Sequence, residues 1–488
     1  MEQLFSRAGM SSDFLQTSIG LGPRRINLAY FKTMIDLPTL HALNLIMQER
    51  AEEPGAAKRP LTLDEVRAWL PIDTIQPTRD PQEMQDWLMR NSLLIWLEAE
   101  PASALLVEIP QTGAVRQENA TENEFSVVGP KIGFVERLDS NIQLLRYQIS
   151  LPNLVFKEIK IGSVSKTRVA IVYLDGVTNP THIQTVETRL QKMDFEVVFD
   201  SSQLDQIIAD NSWTPFPLFV STERRDRVVY SLISGQVAIM SEGSPYVITG
   251  PSTLYDFFIS PEDYYLPWVL GSFFRLVRIV GVLFSIFATS IYVAVATYHY
   301  QILPVDLLTP FIQSRQYVPL PPVLEVLFLE ITIEFLREAG ARLPTKIGQT
   351  LGIVGGVIIG QAAVEAAFTS NILIIVVALS ALASFTTPIY KMSNTIRFLR
   401  FPLIILAAFW GGIGVVVGLS LILIHITRLR SLNNPYTVPI FPFYRRGLSD
   451  SVIRSSYNLT TERPAYLNPL SRTRYKPRSE KKTPEEDE

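Results

Sequence analysis

Four stretches without a single formal charge, residues 279–298, 347–364, 366–390 and 401–424, constrain this 488-residue chain more than any other feature. The first is twenty residues long, close to the ~20 that an α-helix needs to cross a hydrocarbon core of ~30 Å. Helices buried in soluble domains rarely run that far without charge. The pattern therefore predicts an α-helical multi-pass membrane domain over residues 276–430, with spans near 279–298, 347–365, 370–390 and 402–425. Composition agrees: 47% of the residues are hydrophobic and only 19% charged, against about a quarter charged in ordinary globular domains.

The same composition narrows the chemistry. A net charge of −3 provides no basic field to draw nucleic acid. Cysteine is absent, which removes disulfides, thiolate metal sites and thiol nucleophiles. The four histidines, His41, His182, His299 and His425, do not stand at metal-ligand spacing from one another. No phosphate-binding glycine loop, nucleophile elbow or dinucleotide fingerprint occurs. The expectation is a protein that is not an enzyme and holds no cofactor or metal.

Ahead of the apolar half, charged and apolar residues alternate as they do in folded soluble domains. The first residues, MEQLFSRAGMSSDF, lack a basic segment followed by an apolar core, so no cleavable signal peptide is expected. Helical patterns cover residues 28–51, 63–70 and 80–91, and 93–97 reads as a strand. The polar connector at 111–124 suggests a division into subdomains 1–125 and 126–275. In the second, RVAIVYL (168–174) is a strand closed by the turn pair Asp175-Gly176, 180–193 is helical and EVVF (196–199) returns as a strand, which fits a βαβ unit. Residues 227–234 and 236–240 also read as strands. The fold class expected is an α/β cytoplasmic N-terminal region of two subdomains, followed by the membrane domain.

Residues 323–338 (VLEVLFLEITIEFLRE) form a separate case. Sixteen residues reach about 24 Å as a helix, and Glu330, Glu334 and Glu338 recur every fourth position on one face. Carboxylates facing lipid are costly, so an amphipathic helix at the interface or a re-entrant element is expected, with its acidic face in water. Four spans leave both termini on one side, with Arg275 and Arg278 matching Arg428 and Arg430 as a cytoplasmic cluster; five spans would instead place Arg337, Arg342, Lys346, Lys391, Arg397 and Arg400 inside and the basic tail outside.

The span at 347–364 carries the most information. Gly348, Gly352, Gly356 and Gly360 make three consecutive GxxxG steps, a stripe that drifts over about 120° and lets another backbone approach closely. Opposite it, within about 80° of arc, fall Thr350, Val354, Val357, Gln361 and Glu365. One small-residue face and one semi-polar face suit a helix that packs on one side and meets water on the other; a plain packing helix fits the same residues. Four spans enclose little water, so a pore needs several copies around an axis, with Glu365 or the Glu330/Glu334/Glu338 face as a carboxylate ring that concentrates cations. Beyond the spans, residues 445–482 hold ten Lys or Arg against three acidic residues. Such a tail, the basic part of residues 431–488, favours anionic lipid and partial disorder.

Five stretches resemble the A subunit of the GerA-type spore germinant receptors: VGPKIGFVERLDSNIQLL (128–145), SKTRVAIVYLDGVTNP (165–180), SPEDYYLPWVLGSFFRLVRIVG (260–281), LREAGARLPTKIGQTLGIVGGVIIGQAAVEAAF (336–368) and RFPLIILAAFWGGIGVVVGLSLILIHITRLRSL (400–432). The resemblance implies a two-part cytoplasmic region and a membrane domain in the inner membrane of the endospore. It also implies assembly as a homo-oligomer, a pentamer, into a ligand-gated channel for monovalent cations, together with a transporter-like B subunit and a C-subunit lipoprotein. The family usually reads Thr-Glu-Arg-Pro-Asp where Thr222-Glu223-Arg224-Arg225-Asp226 stands here, and Arg-Glu at Lys131-Ile132. These departures leave the related stage V sporulation branch open. A non-conducting scaffold that docks a transporter-like sensor, and a solute transporter, are the alternatives in function.

Overall fold

The computed structural model describes residues 2–20, 25–51, 61–110, 121, 124, 128–192, 194–343 and 356–475. Its first sheet contains β1 (Phe14–Ile19), β2 (Ile26–Phe31), β3 (Ile75–Thr78), β4 (Ser92–Leu97) and β5 (Ala104–Glu108). They lie in the order β1-β2-β4-β5-β3, with every neighbouring pair antiparallel. α1 (Glu2–Ala8) precedes β1, α2 (Leu37–Ala51) and α3 (Leu63–Trp69) separate β2 from β3, and α4 (Pro81–Leu88) separates β3 from β4. Successive strand residues point to opposite faces. Leu28, Ile95 and Leu105 are buried with Leu40 of α2 and Val66 of α3, whereas Phe31, Leu94 and Leu106 are buried with Leu4 of α1 and Met84 of α4.

The second sheet repeats this plan. It contains α5 (Leu138–Gln148), β6 (Leu154–Ile161), β7 (Thr167–Leu174), α6 (Pro180–Gln191), α7 (Ser201–Ile208), β8 (Val220–Thr222), α8 (Arg225–Ser234), β9 (Val237–Ser241) and β10 (Val247–Gly250) in chain order. The strand order β6-β7-β9-β10-β8, again antiparallel throughout, matches the first sheet strand for strand. One helix, then two, then one fall at the same places in the chain. α5 and α8 cover one face, as α1 and α4 do, and α6 and α7 cover the other, as α2 and α3 do.

This plan corrects the expected parallel βαβ unit. Residues 196–199 form no strand, and β7 pairs antiparallel with β6 and β9. Continuous apolar strands usually signal parallel sheets because helices cover both faces there; here helices cover both faces of an antiparallel sheet, and the sequence pattern is the same. Residues 227–234, expected as a strand, lie in α8. Asp226 stands in its first turn, where the helix dipole favours an acid, and Gly235 closes it in the left-handed region at φ 101°. Residues 28–31 belong to β2, so the expected helix 28–51 begins only at Leu37.

The apolar half consists of α9 (Glu262–Tyr265), α10 (Trp268–Thr297), α11 (Val305–Arg315), α12 (Pro322–Arg342), α13 (Gly356–Glu365), α14 (Asn371–Ser384) and α15 (Tyr390–Arg428). Among the described residues, only α10 and α15 are long and apolar enough to cross a membrane by length and composition. α14, with fourteen residues, reaches about 21 Å, short of the expected span 370–390. Residues 347–355 of another expected span lie outside the described residues.

The expected single span 402–425 is corrected by Gly411, whose φ of 58° and ψ of −133° break α15. A Cβ at Gly414 would collide with the Leu406 carbonyl, and one at Gly418 with the Leu403 side chain. Eight residues of straight helix would put Leu406 and Gly414 about 12 Å apart, so the two arms lie antiparallel as a hairpin. Its tip packs on Tyr298 and His299 after α10. Both feet rest on the second sheet's helices and loops: Lys391 Nζ lies 2.5 Å from Asp205, Thr395 Oγ1 donates to the Pro215 carbonyl at 2.5 Å, and His425 Nε2 lies 2.8 Å from Thr214 Oγ1.

Arg275 and Arg278, read in the sequence as part of a cytoplasmic basic cluster, are clamped by acidic and backbone partners at the base of α10. Arg275 Nε and Arg278 Nη1 lie 3.2 and 3.1 Å from Asp263, and Arg275 Nη1 donates to the Asp450 carbonyl at 2.6 Å. The described part of the tail, residues 431–475, is held against the second sheet domain. After β11 (Arg430–Ser431) and β12 (Asn434–Pro435) it runs along the second sheet domain, with Tyr436 and Leu467 fully buried. The Leu470 N–H donates to the Val177 carbonyl at 2.9 Å, and Arg454 to the Leu266 and Tyr264 carbonyls. Apolar and backbone partners hold the chain there despite its basic composition.

The two sheet units are joined by a buried pair. Arg146 of α5 grips Asp13, just before β1, through Nε–Oδ2 and Nη2–Oδ1 bonds of 2.6 Å each, beneath the Phe31 ring at 3.9 Å. Burial pushes the Asp13 carboxyl up, but the Arg146 charge and the hydrogen bonds from Arg146, Ser11 and Thr33 outweigh it and hold the group below its ordinary 3.8. We expect Asp13→Asn to cost about 3–5 kcal/mol, since it leaves a buried guanidinium unpaired. The carboxyl's folded value is depressed, so its contribution is present above about pH 4 and is lost as pH falls through the folded value. Urea unfolding at neutral and acid pH should therefore show the variant converging on wild type as pH drops.

Candidate functional site

A lone carboxylate among apolar helices costs several kcal/mol, so each glutamate of α12 requires a partner. Glu325 is fully buried and accepts from the Ser370 N–H at 2.7 Å and Thr369 Oγ1 at 3.2 Å. Arg315 of α11 stands 3.1 Å from its other oxygen and also donates to Tyr292 Oη at 3.1 Å. Further along, Arg400 of α15 donates from Nη1 to Glu330 at 3.1 Å, and from Nη2 to Ser285 Oγ of α10 and the Ser380 carbonyl of α14 at 2.9 Å. Glu334 pairs with Arg337, which reaches Tyr390 Oη at 3.3 Å, and Glu338 pairs with Arg342 at 2.6 Å.

The expected water-facing acidic stripe is thus corrected at Glu330, which is 4% exposed, while Glu338 does lie at the surface. The four-residue spacing does place Glu330, Glu334 and Glu338 on one face. That face meets α15 at Glu330 and leaves the bundle by Glu338. Sequence pattern alone does not mark Arg400 as a site residue, since it stands at the edge of the charge-free stretch 401–424. An arginine opening one apolar helix and a glutamate inside another was the available signal, since intramembrane charges pair.

The other expected site residues divide in two. Thr350, Val354, Gly348 and Gly352 lie outside the described residues. Gly356, Val357, Gly360, Gln361 and Glu365 all lie on α13. A Cβ at Gly356 or Gly360 would meet nothing within 4 Å, so the glycine face packs on none of this chain's described residues. Val357 is 62% exposed, and Gln361 donates to Glu365 at 2.7 Å on the same open helix. Among the described residues no group of three His, Asp or Glu could hold a metal ion.

A duplicated α/β region bound to an apolar helical domain with inward-facing ion pairs defines the class of protein. The family described as Bacillus/Clostridium GerA spore germination protein matches residues 2–466, and the chain belongs to it. It is similar to spore germination protein GerQA of Bacillus cereus, 43% identical over 98% of this chain and 94% of that one. Spore germination protein GerIA of the same organism is 42% identical over 91% of this chain and 65% of that one. The crystal structure of the N-terminal domain of the A subunit of the Bacillus megaterium spore germinant receptor GerK3 is 22% identical, with a TM-score of 0.37, over 52% of this chain and 93% of that one.

Breaking a buried pair by removing one partner costs about 3–5 kcal/mol, and replacing both partners by apolar residues costs far less. Arg400→Met should therefore lower the melting temperature of the detergent-purified chain sharply. Adding Glu330→Leu should restore most of the loss, as a thermal melt of the single and double variants would show.

Proposed function

We propose that this chain is the A subunit of a spore germinant receptor, a multi-pass protein of the endospore inner membrane with both termini and both sheet units on the cytoplasmic side. Copies of it assemble around an axis, as a pentamer, into a nutrient-gated channel for monovalent cations. A transporter-like B subunit senses the nutrient, and a C-subunit lipoprotein completes the receptor. The residues up to 125 and those of 126–275 act as its two cytoplasmic subdomains.

The observation that carries this reading is α13, an apolar helix with two open faces. Its glycine face, Gly356 and Gly360, has no partner within the described chain and suits the close approach of a neighbouring copy. Val357, Gln361 and Glu365 lie on the other side, where a ring of copies would give a narrow apolar girdle beside a ring of carboxylates that concentrates cations. Thr350 and Val354 continue that face in sequence, and Gly348 and Gly352 continue the glycine stripe. Helix directions support the topology. α10 leads away from the sheet units, the arms of α15 lead out and back, and the tail that follows returns to the second sheet, where the Leu470 N–H meets the Val177 carbonyl.

Potassium flux through the full chain in liposomes tests the reading. Val357→Ala should leak more than wild type, and Glu365→Gln should change the preference among cations. Gly356→Leu should lower the assembled fraction seen by cross-linking. A verified oligomer that conducts in no variant, alone or with its B and C partners, would make the subunit a scaffold instead.

A further inference from the structure

At the end of the helical domain nearest the second sheet, α12, α14 and the first arm of α15 enclose a shallow pocket with Glu330, Glu334, Arg337, Arg397 and Arg400 as its charged walls. The charges do not balance. Arg400 takes Glu330 and Arg337 takes Glu334, which leaves Arg397, 7% exposed, with no carboxylate partner among the described residues. Its neighbours are neutral: Asn394 Oδ1 accepts from Nη2 at 2.5 Å, Ser384 Oγ lies 3.5 Å from Nη1, and the Phe385 ring centre is 5.5 Å from the guanidinium carbon. The buried Nε atoms of Arg337, Arg397 and Arg400 all lack acceptors. Lys391, the next cation on α15, is paired with Asp205. A buried, unpaired guanidinium is costly, and its planar fork matches an oxyanion, phosphate above all.

The position of the pocket indicates the source of that phosphate. Gly281 of α10 packs against Thr386 and Ala383 beside the pocket, about 4.5 Å along the helix from Arg278, which is bound to Asp263 at the base of α10. The pocket thus lies where the apolar helices meet the α/β region, the level of lipid phosphates in an embedded domain. Phe385 in its wall and Tyr390, bonded to Arg337, are each more than half exposed, and an exposed tyrosine suits a membrane interface. Its interior has room for about one water, too little to enclose a free ion, so the ligand approaches at the mouth and stays tethered outside. We propose that this pocket binds the headgroup phosphate of an anionic phospholipid in the leaflet facing the α/β region, with Arg397 and Arg337 as its ligands. The proposal rests on the reading of the helical domain as embedded in a bilayer.

The full chain is first floated with phosphatidylcholine vesicles; failure to incorporate would overturn the bilayer reading and this site with it. Incorporated protein is then compared with spin-labelled phosphatidylglycerol and phosphatidylcholine. The expected result is a preference for phosphatidylglycerol that falls about fivefold in Arg397→Gln. Arg337→Gln, whose partner Glu334 is partly open to water, should also weaken it at a modest loss of melting temperature that leaves the chain folded, which keeps the test sound if Arg397→Gln misfolds. Equal retention of the two lipids, or an unchanged preference in Arg337→Gln and in folded Arg397→Gln, overturns the site. Displacement of the labelled lipid by excess inorganic phosphate would make the ligand a free oxyanion and overturn the lipid assignment.

Discussion

Arg400 is sealed among apolar helices, and the arrangement around it follows from what a buried guanidinium demands. It needs a counter-charge and several acceptors at once. Glu330 comes from α12, Ser285 from α10 and the Ser380 carbonyl from α14, while Arg400 itself belongs to α15. One side chain therefore ties four helices whose mutual apolar packing is weakly directional. The Glu325 node, with Arg315, Ser370 and Tyr292, does the same at another level.

These contacts continue into the α/β region. The core cluster that includes Leu204 and Ile208 of α7 also contains Val282 of α10 and Ile389, Met392, Ile396 and Ile426 of α15 and its approach. Asp263 and Asp450 clamp Arg275 and Arg278 on one side, and Asp205 holds Lys391 on the other. A shift of the second sheet's α6/α7 layer would thus be felt directly at the hairpin feet. The first sheet has the same layers, but it meets the rest through Asp13 and Arg146 at α5 and through Ser11, Ser12 and Lys32 at β6, away from the α6/α7 face of the second sheet. The same topology thus serves in two places, one beneath the helices and one a step removed.

The amphipathic helices with clear capping, such as α3 and α4, were legible because local rules decide them: Thr62 and Asp80 cap them and apolar residues recur at helical spacing. The sheet direction was not legible, since continuous apolar strands report only that both faces are covered. α8 was misread because Val228, Val229 and Tyr230 favour strands locally, whereas Gly235 and the burial of one face decide for a helix. In the candidate site, the glutamates and glycines were visible as residues and spacings. Their partners were not, because Arg400 stands seventy positions from Glu330.

The sequence by itself determined the division into an α/β half and an apolar half, the faces of the isolated helices and, through its long motifs, the GerA family. Periodicity, charge and motif are local, and they survive without knowledge of neighbours. The tertiary structure alone decided that the two sheets share one topology, that residues near 411 reverse direction, that Glu325 and Glu330 turn inward and that the basic tail is bound. Each depends on which distant surface a segment meets, and a buried charge or a glycine without a Cβ acquires its meaning only from the atoms placed against it.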